Sequence, residues 1–231
     1  MSGPGPGNGM AELVIRIRDD GSVFIENSRD GVKSLKAIAP ESLLACIRGS
    51  LRHQGIFSGL LPKGCLSFAA YDNGDREITM LHMEDSADIS YYGTKYENFP
   101  LPGLMFGFGI SGEGRIKGCR LGVVAAGSSL KPATPMFRYP FGNVSGSWLC
   151  TGNNTLPRIA SLHSLTSLPH YILSMDNNND HFRASNNRQG LEMRDLLELL
   201  KDKEPSYYYD HVLLPSGKTL ESFIGNKGQL F

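Results

Sequence analysis

Between residues 65 and 126 the sequence lays down four short apolar segments, CLSFAA (65–70), EITMLHM (77–83), LMFGFGI (104–110) and CRLGVVAA (119–126), separated by Gly/Asp/Asn turns such as DNGD (72–75). Tight turns join strands that run in opposite directions, whereas a parallel pair needs a long crossover, so this block is expected to fold as an antiparallel meander. ELVIRIR (12–18) alternates apolar and charged side chains, and with DDGS (19–22) and VFIEN it predicts a β-hairpin. PESLLACIRGSLRHQ (40–54) puts Leu43, Leu44, Ile47 and Leu51 at helical spacing, with Pro40 at its start and Gly55 as its stop. SLHSLTSLPHYILSM (161–175) is partly helical, with Pro169 breaking or starting a helix, and DNNNDHFRASNN (176–187) is a loop. GLEMRDLLELLKDK (190–203) carries Leu191, Leu196, Leu197 and Leu200 on one side of an amphipathic helix, and YYYDHVLLPSGKTLESFIG offers one more strand and a short helix. The expected fold class is α+β, an antiparallel meander sheet with flanking helices. Residues 11–205 are expected to form one domain, between a Gly/Pro-rich leader or cloning remnant (1–10) and a C-terminal extension (206–231).

Lys plus Arg equals Asp plus Glu, 23 of each, which leaves no electrostatic footprint for nucleic acid or an anionic membrane. No apolar run approaches membrane-spanning length, and MSGPGPGNG lacks the charged start and apolar stretch of a signal peptide, so a cytoplasmic location is expected. Cys46, Cys65, Cys119 and Cys150 are scattered without a CxxC pair, which argues against a structural zinc site or a disulfide scaffold. Cys46 is expected in the core beside the apolar face of its helix, and Cys65 and Cys119 at strand starts as packing residues. PSGKT (215–219) echoes half a phosphate loop, but the earlier Gly position is Val212. GFGISGEG (107–114) reads as a strand end and a turn, with no helix after it to hold a pyrophosphate. His163 and His170 lie seven apart without an evident third metal ligand. No cofactor and no metal are expected.

Cys150 stands apart. It lies in FRYPFGNVSGSWLCTGNN (137–154), a stretch without regular periodicity beside the only tryptophan, Trp148. Irregular segments inside domains often carry function, and a partly exposed thiol near dipoles is available as the reactive thiolate. Asn143, Asn153 and Asn154 bring amides able to donate to a developing oxyanion, an interaction worth about 3 kcal/mol in acyl-transfer enzymes. Gly142, Gly146 and Gly152 allow close approach of a bulky polypeptide. No neighbouring histidine forms a Cys–His pair, which suits a thiol that receives and passes on an activated acyl group better than one that attacks a peptide bond. From the residues alone, nucleophile and bystander both stay open.

PFGNVSGSWLCTGN resembles the active-site signature of ubiquitin-conjugating enzymes, His-Pro-Asn-Val followed by a glycine turn, two apolar residues and cysteine. Asn143-Val144, Gly146, Trp148-Leu149 and Cys150 match it, while Phe141-Gly142 stands where the signature has His-Pro, and Asn143 lies seven rather than eight residues before the cysteine. The blocks LPKGCL (61–66), PLPGLMF (100–106), ATPMFRYPFGNVSGSWLCTGNN (133–154) and DHF (180–182) are similar to those of prokaryotic ubiquitin-conjugating-like family D, the relatives of PRTRC system protein B. The resemblance implies a ubiquitin-conjugating-like fold and a cytosolic bacterial carrier. It accepts a ubiquitin-like protein from an ATP-dependent activating enzyme as a thioester on Cys150 and transfers it to an amine such as lysine. It also implies plasmid-borne or antiviral-defence cassettes that encode a metal-dependent deconjugating protease.

On that reading Asn143 and the 141–147 turn stabilise the oxyanion, and Trp148 with Leu149 anchors the active-site strand in the core. Asn153, Asp176, Asp180 and His181 are candidates by chemistry for the acceptor side, each with a plain loop or turn role as its alternative. One rival reading is a non-catalytic scaffold that binds a ubiquitin-like partner. Another is a thiol hydrolase, which needs His163, His170 or His181 within hydrogen-bond reach of Cys150.

Overall fold

Period-2 patterning at the start of the chain gives what it dictates. In the computed structural model, which describes residues 12–29, 32–50, 57–82, 84–125 and 129–225, β1 (Glu12–Ile17) pairs antiparallel with β2 (Val23–Arg29). The Asp20 carboxylate accepts the Ser22 N–H at 2.9 Å and closes the turn. A third strand, β3 (Val32–Ile38), pairs with β2, and Glu26 on the middle strand takes Arg16 at 2.9 Å and Lys33 at 3.3 Å from its two neighbours. Helix α1 (Pro40–Ser50) follows, with proline in the first turn, where no backbone donor is needed. Positions 51–54 of the expected helix lie outside the described residues.

The chain divides between Ile56 and Phe57 into two units, inside the span 11–205 expected as one domain. Among the described residues of the first unit only Val23 and Leu43 are buried apolar side chains. One sheet face and one helix offer too little surface to cover a full apolar stripe, so Cys46 is exposed, not the core residue its helical position predicts.

The second unit contains the meander. β4 (Cys65–Ala70) and β5 (Arg76–Leu81) form a hairpin, β6 (Ser86–Tyr91) and β7 (Thr94–Pro100) form another, and β8 (Leu104–Ile110) and β9 (Ile116–Val124) complete the series. The sheet runs β4-β5-β8-β9, all antiparallel, so the four expected strands are neighbours and β6–β7 is a hairpin inserted at their midpoint. Cys119 is buried on β9 and Cys65 half-buried at the head of β4, both packed in the core as expected. Short strands β10 (Pro135–Phe137), β11 (Val144–Ser145) and β12 (Trp148–Leu149) extend the sheet beyond β9. A 3-10 turn at Leu162–Ser167 leads into α2 (Leu168–Ser174), with Pro169 in its first turn, so the proline starts the helix.

β13 (Asp176–Asn177) adds to β6, a second 3-10 turn covers Ala184–Asn186, and α3 (Met193–Leu200), α4 (Tyr207–His211), β14 (Pro215–Thr219) and α5 (Leu220–Ile224) finish the described chain. The class is mixed α+β, mostly antiparallel sheet with a few helices.

β8 is buried at every position. Leu104, Phe106, Phe108 and Ile110 join Ile78, Met80, Leu121 and Val123 in the main core, together with the apolar faces of α2 and α3. Met193, Leu196, Leu197 and Leu200 of α3 are all buried there. At about 1.5–3 kcal/mol for each such side chain, this burial and not intrinsic propensity holds a helix of two turns. Met105 points to the opposite face, where Val124, Met136, Leu220 and Phe223 form a smaller cluster. Arg120 is 1% exposed, with Phe223 over its guanidinium at 5.0 Å. Gly107 opposite leaves it room, since a Cβ there would stand 3.3 Å from the Arg120 Nε.

Residues 206–225 are not an appendage. β14 pairs with β10, and fully buried Tyr208 donates its hydroxyl to the Pro100 carbonyl at 2.8 Å. PSGKT is β14 itself, and its threonine caps α5 through a capping box with Ser222. Among the described residues no helix is long and apolar enough to cross a membrane.

Candidate functional site

The site is built on the hairpin β11–β12. Its arms pair Val144 with Leu149 and Ser145 with Trp148, and left-handed Gly146 (φ 65°) makes the turn. Trp148 pairs with Arg120 of β9, and the Leu121 N–H donates to the Ser147 carbonyl at 2.7 Å, so the hairpin is fixed to the edge of the main sheet. Leu149 packs against the core, while Trp148 is half-buried and belongs to neither buried cluster. The expected core anchor is therefore Leu149 alone.

At the open end of the arms Cys150 faces Asn143. The Cys150 N–H donates to the Asn143 carbonyl at 2.7 Å, and the Asn143 N–H donates to the Asp180 carbonyl at 2.8 Å. Asn143 has φ 60°, a left-handed conformation that asparagine tolerates better than most side chains. Its side-chain Nδ2 reaches the Asp176 carbonyl at 3.3 Å and Asn177 Oδ1 at 3.4 Å. In this geometry Asn143 ties the cysteine hairpin to the 176–180 segment, and these two bonds hold the amide that the signature implies as oxyanion donor. Phe141, standing where the signature has histidine, is buried against Phe99, Tyr139 and Tyr208 at ring separations of 5.9, 5.4 and 6.2 Å. It roots the hairpin in the core through edge-to-face contacts. Next to it Gly142 lies against the backbone of Asn178, where a side chain would overlap the carbonyl oxygen.

The 176–181 segment is held from its other side by the β6–β7 turn. Asp176 Oδ1 accepts from Ser90 Oγ at 2.6 Å and from the Gly93 N–H at 2.9 Å, so this carboxylate braces the turn. Tyr91 donates its hydroxyl to Asn179 Oδ1 at 2.9 Å. Asp180 accepts from Asn178 Nδ2 at 3.1 Å and is exposed, as is left-handed His181 (φ 61°). Asn153 sits exposed in the turn after the cysteine, closed by the Asn154 N–H to the Thr151 carbonyl at 2.9 Å.

The fold thus gathers Cys150, Asn143 and Asp180 along one chain of backbone bonds, with His181 next in sequence after Asp180 and Asn153 just downstream of the cysteine. It does not bring His163 or His170 to a hydrogen bond with the thiol. His163 Nδ1 lies 3.4 Å from the Leu61 carbonyl, and His170 Nε2 3.0 Å from Glu84 Oε1. Among the described residues no hydrogen bond joins Cys150 to any histidine.

Cys150 is exposed, and a cleft of about 550 Å³ runs along the start of β9 past its two neighbours in sequence. Leu149 and Thr151, its two neighbours, line the cleft with Arg115, Lys117, Gly118 and Thr155. No family model, curated protein or solved structure matches this chain. The functional reading accordingly stands on the hairpin, its thiol and its cleft. Ser90, Tyr91 and Gly93, which brace the site, were not among the candidates read from sequence, and the only sign of them was the Tyr92-Gly93 turn between two short strand patterns.

Proposed function

We propose that this protein is a bacterial ubiquitin-conjugating-like acyl carrier. Its β4-β5-β8-β9 meander, cysteine hairpin and following helices would be a variant of the ubiquitin-conjugating fold. The observation that carries the reading is Cys150 itself, an exposed thiol at the mouth of a hairpin whose arm is held by the 2.7 Å bond to Asn143. In the first step the Cys150 thiolate attacks the thioester carbonyl of a ubiquitin-like C-terminus on the activating enzyme. A tetrahedral oxyanion forms, and the activating enzyme's thiolate leaves. In the second step an amine attacks the new thioester, loses a proton to solvent or a nearby base, and Cys150 leaves as thiolate with an amide formed.

The cleft beside Cys150 would seat the extended C-terminal tail of the ubiquitin-like protein. Asn143 contributes by positioning the hairpin. Its two amide bonds, at 3.3 and 3.4 Å, are long enough to be surrendered to an oxyanion when substrate arrives. ATP is consumed by the activating enzyme, so this chain needs no cofactor for the transfer. Cytoplasmic location, a deconjugating metalloprotease partner and a place in a plasmid or defence cassette belong to the same reading.

The test incubates the purified chain with a ubiquitin-like protein and an activating enzyme encoded beside it, ATP and magnesium, and runs a gel without reductant. A reductant-labile adduct lost in Cys150→Ala, and a reductant-resistant oxyester in Cys150→Ser, are expected. No adduct from a demonstrably charged activating enzyme overturns the proposal. That outcome would favour the non-catalytic ubiquitin-like-binding scaffold, a reading supported by the engaged Asn143 amide.

A further inference from the structure

Away from the cysteine hairpin, two neighbouring side chains of the connection after β5, His82 and Glu84, meet a third from far along the chain, His170. His82 sits there with its backbone N–H donating to the Leu104 carbonyl at 2.8 Å and its ring edge-to-face with Phe106, 6.1 Å between centroids. It is 7% exposed, and its Nε2 is buried with no hydrogen-bond partner. A buried ring nitrogen without a partner is unusual enough to need an explanation. His170, in the first turn of α2, brings its ring to 5.1 Å from that of His82, and its Nε2 to 3.0 Å from Glu84 Oε1. One donor atom from each of His82, Glu84 and His170 falls within 4.8 Å of the other two.

We propose that His82, Glu84 and His170 form a binding site for a divalent transition-metal ion of the zinc class. Two imidazoles and a carboxylate suit zinc, cobalt or nickel, whereas calcium and magnesium take sites built from oxygen alone. A tetrahedral ion with bonds near 2.1 Å holds its donors roughly 3.4 Å apart. The His170–Glu84 pair, 3.0 Å apart, opens by about 0.4 Å to reach that spacing as the ion takes the place of the hydrogen between them, and the separation of up to 4.8 Å to His82 closes by about 1.4 Å through side-chain adjustment. Glu84 and His170 keep 55% and 44% of their side-chain surface exposed, so the ion has a path in and a fourth position open to water. It ties the β5–β6 connection to α2, the helix that leads directly into the 176–181 segment.

The spacing of His163 and His170 does not reveal this site, because the partners of His170 lie 86 and 88 positions earlier in the chain. The test titrates the full-length, chelator-treated, reduced protein with cobalt chloride and then zinc chloride, followed by absorbance and thermal melting. The expected result is one cobalt per chain with d–d bands but no thiolate-to-cobalt charge-transfer band, displaced by zinc. Metal is expected to raise the melting temperature. Glu84→Gln and His170→Ala change exposed side chains and should fold normally, yet each should weaken binding at least about tenfold, since even outer-shell losses cost that much. Loss of the metal-dependent rise in melting temperature in both variants supports the site independently of affinity. Equal binding in wild type and both variants, a thiolate charge-transfer signature, or no binding at low micromolar metal would each overturn it.

Discussion

Gly142→Ala isolates the contact on which the arrangement of the cysteine hairpin depends. The added methyl would overlap the Asn178 carbonyl oxygen, a backbone atom that no side-chain rotation can clear. To restore ordinary contact the hairpin and the 176–180 segment must separate by about 1 Å or more. That separation breaks the 2.8 Å bond from the Asn143 N–H to the Asp180 carbonyl and the longer bonds from the Asn143 amide to Asp176 and Asn177. At about 1 kcal/mol for each bond, the loss is about 2–3 kcal/mol. In a domain of this size it lowers the melting temperature by roughly 5–10 °C. The informative comparison is Gly146→Ala, where nothing lies within 4 Å of the new methyl but φ is +65°. Only backbone strain of about 1 kcal/mol is expected there. Thermal melting measures the totals, and hydrogen exchange separates the two mechanisms. The Asn143 amide should exchange much faster in Gly142→Ala and stay protected in Gly146→Ala. If Gly142→Ala melts with the wild type and Asn143 keeps its protection, the tie between hairpin and segment does not exist as described.

Further expectations rest on other parts of the molecule. Burial, opposed chiefly by the charge of Glu77, pulls the Arg120 guanidinium below its usual range, so Glu77→Gln and Arg120→Met should each cost about 3 kcal/mol by stranding the other buried charge, while the double variant should cost less than their sum, all read by urea unfolding. The 2.9 Å bond from Lys117 holds the Asp75 carboxyl below the usual carboxylate range, with Asn73 and the Gly112 N–H adding to it against a smaller cost of burial. With the folded value the lower one, this stabilisation is complete above the unfolded carboxylate pKa and disappears as pH falls through the folded one, so Asp75→Asn should flatten the acid limb of stability against pH. In native protein a thiol reagent should label Cys46 and Cys150 fast, Cys65 slowly and Cys119 only on unfolding, because burial pushes the last two thiols up. Cys150→Ala should remove one fast thiol while shifting stability by less than about 0.5 kcal/mol, as expected of an exposed side chain.

The parts of this molecule legible in its sequence are those whose hydrophobic pattern is decided locally. The four meander segments could be read because apolar runs of strand length between Gly/Asp turns have few other uses, and α3 because Leu196, Leu197 and Leu200 recur at helical spacing. The β6–β7 hairpin escaped because SADISYYGTKYENFP is half polar, its outward face being as hydrophilic as a loop. That omission reaches the site. Without β6 there is no partner for β13, and Asp176 reads as a free loop carboxylate when it is spent on Ser90 and Gly93. Cys150 was visible as an irregularly placed thiol, but the role of Asn143 was not, because a side-chain amide has the same letter whether it faces a substrate or a neighbouring loop. What separates the two is contact across 33 residues of chain, Asn143 to Asp176, and such contact follows from where the sheet ends and not from local spacing. The same holds for His82, Glu84 and His170. Any chemistry that depends on residues meeting from different strands and helices becomes readable only when the sheet order is known, and here that order puts a thiol beside the edge of the main sheet and a histidine–carboxylate cluster at the connection between its β4–β5 hairpin and the inserted β6–β7 hairpin.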